Sequence, residues 1–402
     1  MELRTVLLLA VIAALVLIGS RLSFGRRRLP LGVRETVQTG TAFLVLGALL
    51  GPHALNLVTE RVLEQLGPVI VIGLGWIGFL YGTHFEWRLV RRLPRAFYGV
   101  GFTESLVSLG LVAGLGAVYL GLVADPGSTP DDLAVAALVL GVCAAGTAPA
   151  GTYLLTTHAR LRHADSHALQ FFAAVDDLPA LLILGFVYAF FHPSLPEGGQ
   201  VAGWQWALIT VGMGLLGGWL MHLVFPRGTD VRVNALVLLG MVSLGAGAAS
   251  LLRLSPLFVS VIAGMVFANL SSRKESVYGM LADREQELYV VFLLSAGALF
   301  RFDWTLLLGF APAYIALRAL AKVGGAWLGL RLFMGPSPIH PLIGSGLLFQ
   351  GGLTLAIAVN LERTHVSALP HQVATIVVVA AIINDLIGPT IAARLLGRRG
   401  SR

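Results

Sequence analysis

The sequence predicts an all-α polytopic membrane protein of about 13 transmembrane helices, arranged as inverted-topology repeats with two discontinuous crossing helices. Three observations lead there: composition, the spacing of apolar runs, and the distribution of positive charge. Of 402 residues, 56% are hydrophobic and only 12% charged, too little charge to keep a soluble domain of this size in water. Runs of about 20 apolar residues, enough for a helix to cross a hydrocarbon layer roughly 30 Å thick, recur from end to end.

The runs lie near 3–20, 29–50, 66–84, 96–123, 131–157, 165–192, 202–225, 231–252, 255–271, 286–300, 304–334, 340–361 and 371–396. The first is followed by Arg21 and Arg26 to Arg28 without a small-residue cleavage site, so it reads as a retained anchor and not a signal peptide. The ninth and tenth are short. The fifth is interrupted by Gly146-Thr147-Ala148-Pro149 and the twelfth by Gln350-Gly351-Gly352.

With the N-terminus outside and the C-terminus cytoplasmic, 21 of the 28 lysines and arginines fall on the inner side and five on the outer. That bias is the positive-inside pattern, and it supports the count of spans. The formal net charge of +7 therefore reports orientation in a bilayer, and no soluble basic surface for nucleic acid is present. Cys143, the single cysteine, excludes an internal disulfide and reads as a small packing residue.

Local patterns recur about 203–217 residues apart in the same order. Gly82-Thr-His-Phe-Glu-Trp87 resembles Gly297-Ala-Leu-Phe-Arg-Phe-Asp-Trp304. Ala173-Ala-Val-Asp-Asp-Leu178 resembles Ala381-Ile-Ile-Asn-Asp-Leu386, and the break near Thr147 matches the break near Gln350. The offset is seven spans. Seven is odd, so matched helices cross the bilayer in opposite directions, the inverted repeat of secondary transporters, whose broken helices mark the binding site. Unwound backbone at that depth needs a wet cavity or protein partners.

Asp176 and Asp177 interrupt the apolar stretch from Phe171 to Leu184. A charged side chain at bilayer depth costs at least about 2.5–3.5 kcal/mol, so a retained pair points to binding a cation or carrying protons. Consecutive residues on a helix point about 100° apart, so the two face different surroundings. Lys322 is one of two lysines against 26 arginines. Unlike arginine it can lose its proton when buried, which suits a titrating partner for an aspartate.

Glu104 and Arg318 occupy matched places in the fourth and eleventh runs and read as structural charges that could pair with each other. Asp385 mirrors Asp177 and could line the site or pin the broken helices. Thr147 and Thr152 offer hydroxyls near the first break and Thr354 near the second, while Gln350 lies in the second break itself. His158, His163 and His167 fall on an inward loop and read as solvated.

These residues resemble a family, the monovalent cation–proton antiporters, and within it the bacterial sodium/proton exchangers of the cation–proton antiporter 2 type, related to the potassium-efflux antiporters. The resemblance runs from about Arg27 to Leu396. It is carried by Gly47-Ala-Leu-Leu-Gly-Pro52, Gly146-Thr147 with Thr152, Val175-Asp-Asp177, Lys322-Val-Gly-Gly325, Gly264-Met-Val-Phe-Ala-Asn269 and Gly351-Gly-Leu353. Pro149, Pro179 and Gln350 depart from the family pattern.

The resemblance implies a single membrane transporter domain over 1–402, with a dimerisation part near 1–84 and 202–300 and a mobile core near 96–192 and 304–396. Asp177 would carry the proton and the cation, Asp176 would pair with Lys322, and Thr147 would help coordinate the ion. Members of this kind are homodimers, work by an elevator motion, serve pH homeostasis, and with this set of residues move two protons per sodium. No cofactor is implied, because the Na⁺, Li⁺ or K⁺ ion is substrate, and no nucleotide-binding domain or Walker motif is present.

Two other classes compete. A proton- or sodium-coupled symporter of an organic solute would use Arg318, Gln350 and Asn384 as donors. An intramembrane aspartyl protease would need a Gly-x-Gly-Asp motif, which does not occur; the chain does not read as an enzyme.

Overall fold

The computed structural model describes residues 41–91, 94–123, 127–159, 161–193, 201–225, 231–271, 277, 279, 290–301, 303–365 and 369–397. The first apolar run and most of the second lie outside them. All regular structure among the described residues is helical. In chain order we label α1 Thr41–Leu50, α2 Gly67–Thr83, α3 Arg95–Val123, α4 Pro130–Ala145, α5 Pro149–His158, α6 His163–Val175 and α7 Asp177–Phe190. There follow α8 Gly203–Val224, α9 Val231–Leu251, α10 Pro256–Leu270, a helical stretch over 290–298, α11 Ala311–Phe333, α12 Gly352–Thr364 and α13 Leu369–Leu396.

Seven stretches are long and apolar enough to cross a membrane: Arg95–Val123, Pro130–Thr157, His163–Phe190, Gly203–Val224, Val233–Leu251, Leu306–Phe333 and Leu369–Leu396. Gly67–Thr83 and Pro256–Leu270 are shorter apolar helices. Helix starts are set locally. At α4, Thr129 and Asp132 form a reciprocal cap and Pro130 takes the first position, where a missing N–H costs nothing. At α10, the Ser255 hydroxyl accepts from Phe258 N, with Pro256 next.

Where the helices sit follows from their faces. In an apolar 18-residue window of the stretch containing α4 and α5, 72% of the residues are buried inside the protein, against 22% in such a window of α8. The outward residues of α8 include Leu208, Leu215, Leu216, Trp219 and Leu223, a surface suited to lipid. The central apolar cluster draws Leu140 and Val142 from α4, Leu184 from α7, Leu353 and Ile357 from α12, and Ile376 and Val377 from α13.

Two helix contacts are made backbone to backbone. Between α2 and α10, a Cβ at Gly82 would strike the Val261 carbonyl, and one at Gly264 the Phe79 carbonyl. Between α3 and α11, a Cβ at Gly325 would lie 2.9 Å from Glu104 Cα, and one at Gly329 2.8 Å from Val100 Cα. Small residues four apart let membrane helices approach this closely.

Three irregularities position the site. Helix α4 stops at Ala145, and Gly146 (φ −66°, ψ 146°) and Ala148 (φ −75°, ψ 110°) are extended. Pro149 explains the stop: it has no N–H to return, its ring opposes the carbonyl four residues back, and it holds Ala148 out of the helical region. Second, a 3₁₀ turn over Ile343–Leu347 gives way to residues 348–351, and Gly351 (φ −99°, ψ −171°) is extended before α12 begins. Third, Pro179 withdraws the donor that Val175 O would use, and the long sixth run divides at Asp176 into α6 and α7.

Candidate functional site

The two unwound segments touch. Ala148 N donates to Phe349 O at 3.1 Å, and the Thr147 hydroxyl lies 3.2 Å from Leu347 O. Each helix that ends here leaves carbonyls without intrahelical donors, and Arg318 on α11 supplies them. Its Nε donates to Ala144 O at 3.0 Å and its Nη1 to Leu348 O at 2.7 Å. Its Nη2 donates to Gly146 O at 2.9 Å and to Phe349 O at 3.4 Å. The side chain is fully buried.

One turn further along α11, Lys322 is also fully buried. Its ammonium donates to Asp176 Oδ2 at 2.9 Å and to Thr147 Oγ1 at 2.9 Å. It also meets Ala145 O and, at 3.0 Å, Glu104 Oε1. An ammonium has three hydrogens and here faces four acceptors. The expected partnership of Glu104 with Arg318 is therefore corrected: Glu104 pairs with Lys322, and Arg318 is committed to main-chain carbonyls. The register of α3 on α11, fixed by Gly325 and Gly329, brings Glu104 level with position 322.

Asp176, at the junction of α6 and α7, is held from three sides. Its Oδ2 accepts from Lys322 and from the Thr147 hydroxyl, and its main-chain carbonyl accepts from Ser105 Oγ at 2.6 Å. Asp177, 3% exposed, faces the other side of the first break, near the Thr147 main-chain amide. Its Oδ1 and the Thr354 hydroxyl each lie 3.0 Å from the point a Cβ on Gly146 would occupy. Glycine at 146 thus leaves a small recess between an acidic oxygen of α7 and a hydroxyl of α12.

The remaining candidates are near the breaks but separately engaged. Asp385 Oδ1 accepts from Gln350 N at 3.3 Å, and the Gln350 side chain donates to Cys143 O and Tyr314 OH, each at 3.2 Å. Asn384 donates to Gln350 Oε1 at 2.8 Å. Thr152 is buried and donates to Pro149 O at 2.8 Å, closing the first turn of α5; no contact joins it to the aspartates. Of the three histidines read as a loop cluster, His163 and His167 lie a turn apart at the start of α6 with ring centroids 4.3 Å apart. The side chain of His158 lies outside the described residues.

Sequence reasoning missed three contributors: Tyr314, Ser105 and Ser108, whose hydroxyl donates to Glu104 Oε1 at 2.9 Å. It also missed Asp165, a fully buried carboxylate that accepts from Arg162 Nε at 2.6 Å and from His340 N at 2.7 Å. Nothing in residue type alone marks these, since each depends on which helix faces which. Chemically, the site assembles three carboxylates and one ammonium where two helices lose their regular hydrogen bonding. Such a set must be balanced by bound protons or a bound cation.

The family model described as sodium/hydrogen exchanger, transmembrane, matches residues 8–397. No curated protein matches in sequence. Among solved structures, the fold is similar to the sodium proton antiporter MjNhaP1 from Methanocaldococcus jannaschii at pH 8, with TM-score 0.60 and 16% identity over 98% of this chain and all of that one. An electron-microscopy structure of the same antiporter aligns with TM-score 0.60 and 15% identity over the whole of both chains.

Proposed function

Since this chain belongs to the sodium/hydrogen exchanger family and is a multi-pass membrane protein that exchanges cations for protons, we propose that Asp177 and Asp176 are where proton and cation compete. One observation carries the reading. Both aspartates are buried against the Gly146–Ala148 break, Asp176 on Lys322 and Thr147 and Asp177 beside the Gly146 recess. The free carbonyls and hydroxyls of an unwound segment can replace water around a small cation, as regular helix cannot.

The cycle follows from the cost of moving uncompensated charge through a low-dielectric region. With protons on the carboxylates, the site is neutral enough to change sides. A monovalent cation entering from the other aqueous face displaces those protons, is carried back by Asp177 and Asp176, and is released when protons return. Sodium is the preferred substrate in this reading, with lithium or potassium as further candidates. Two protons exchanged for one cation make the cycle electrogenic. The core near 96–192 and 304–396 moves past a dimeric scaffold near 1–84 and 202–300 in the elevator manner that the resemblance implies. The charge bias of the loops supports a cytoplasmic membrane location with the N-terminus outside.

Symport of an organic solute is disfavoured by the donors it would need. Arg318, Gln350 and Asn384 all donate to other protein groups, leaving these three no convergent set for a solute among the described residues. The test is exchange by the purified protein in proteoliposomes, with Na⁺, Li⁺ and K⁺ compared at several pH values. Cation-driven proton movement supports the reading. Its absence for all three ions, together with accumulation of an organic anion, would replace it.

A further inference from the structure

We propose that Gly146 and Thr354 choose the transported cation by size: the room left by the missing side chain of Gly146 seats the dehydrated ion, and the Thr354 hydroxyl is its uncharged ligand from α12. This deepens the exchange reading above and rests on it. A Cβ built on Gly146 would lie 3.0 Å from Asp177 Oδ1 and 3.0 Å from Thr354 Oγ1, and among the described residues nothing else beyond its chain neighbours comes within 4 Å. No other described glycine faces side-chain oxygens alone. The backbone of Gly146, at φ −66° and ψ 146°, is open to any L-residue. What glycine supplies here is space.

The walls of that space are fixed by packing. Cys143 Sγ, near the end of α4, donates to Thr354 O at 3.6 Å. A Cβ on Gly351, just before α12, would press on Ala148 Cβ at 2.8 Å, and Ala148 N donates to Phe349 O at 3.1 Å. The first turn of α12 therefore rests on both flanks of the first break. Opposite it, Asp177 opens α7 beside the Thr147 main-chain amide. Asp177 and Thr354 are 3% and 2% exposed, while Asp176, Glu104 and Lys322 are 0% exposed. Of the three carboxylates, Asp177 is the one an arriving ion meets.

A carboxylate attracts every monovalent cation, and hard oxygen donors suit Li⁺, Na⁺ and K⁺ alike. Selection between ions of equal charge depends on cavity size, on the number of ligands and on how far those ligands can give. An ion that binds Asp177 Oδ1 and Thr354 Oγ1 together must fit the span between two packed helices. A larger ion has to move α12 off its contacts with Ala148 and Cys143, and a smaller one does not. Main-chain oxygens of the unwound segment complete the shell.

The test reads the half-saturating concentrations of Li⁺, Na⁺ and K⁺ for cation-driven proton flux in proteoliposomes. Thr354→Val keeps the shape and removes the oxygen, so half-saturation should rise roughly tenfold for each ion the wild type carries. Thr354→Ser, which keeps the oxygen, should stay near the wild type. Gly146→Ala puts a methyl group between the two oxygens, and half-saturation should rise more for K⁺ and Na⁺ than for Li⁺. Wild-type half-saturation in Thr354→Val overturns the proposal. So does a Gly146→Ala protein that weakens all three ions by one common factor. Should Gly146→Ala fail to fold, the Thr354 variants decide alone, and equal values for Val and Ser overturn the assignment. A wild type with no cation-driven proton flux instead removes the exchange reading itself, and this proposal with it.

Discussion

Arg318 Nη2 donates to the Gly146 carbonyl at 2.9 Å, while Nη1 of the same guanidinium donates to Leu348 O at 2.7 Å. One side chain thus fastens both interrupted segments. The carbonyl ends of helical segments carry partial negative charge, and two such ends meeting in a dry interior need a fixed cation with several divergent donors. Arginine has five. Ala144 O, Leu348 O and Gly146 O are met by three different nitrogens of the guanidinium. Arg318→Lys keeps the charge but gathers its donors on one nitrogen, so at least one of these carbonyls loses its partner at a cost of about 1–3 kcal/mol. We expect a lower unfolding temperature in detergent; an unchanged temperature would show that the carbonyls do not depend on position 318.

Asp177→Asn fills the same volume without the charge, so the fold should persist. Sodium-dependent dequenching in everted vesicles should vanish, and sodium should no longer raise the unfolding temperature. Wild-type-like dequenching would remove Asp177 from its assigned role.

Thr147 stands between Lys322 and Asp176, accepting from one and donating to the other. Thr147→Val keeps the shape and deletes both bonds, a loss of about 1–3 kcal/mol. The cation concentration for half-maximal exchange should rise roughly tenfold or more. Thr147→Ser should remain near wild type, and equal behaviour of the two variants would assign the residue to packing.

His192 lies beyond the end of α7, stacked on Trp206 at 3.7 Å between ring centroids, with Nε2 3.0 Å from Leu252 O. Burial, which disfavours the charged ring, holds its pKa below the ordinary 6.5. The unfolded chain takes up that proton near 6.5 while the folded chain resists. The contribution to stability is therefore intact above this pH and lost as pH falls below it. Between about pH 7.5 and about pH 5.5, the unfolding temperature of the wild type should fall further than that of His192→Phe, which keeps the stack.

The helical membrane fold was legible because hydropathy responds to the bilayer alone, without knowledge of neighbours. The interruptions were legible because Pro149 and the Gly351-Gly352 pair act on their own backbone. Asp176 and Asp177 stood out by the cost of leaving charge in an apolar run. What the sequence withheld was register. Arg318 and Lys322 are one turn apart on α11, and nothing in the chain of residues says which of them Glu104 will meet. That depends on how far α3 lies along α11, a matter of where Gly325 and Gly329 admit its backbone. Asp165 was hidden for a similar reason, because one of its partners, His340 N, is 175 residues away.

Gly325 and Gly329 press on Glu104 and Val100 with no side chain between. Rods meshed that tightly cannot shear by a turn without driving main-chain atoms into each other. The acid and the amine are therefore locked in register for as long as these two helices stay packed.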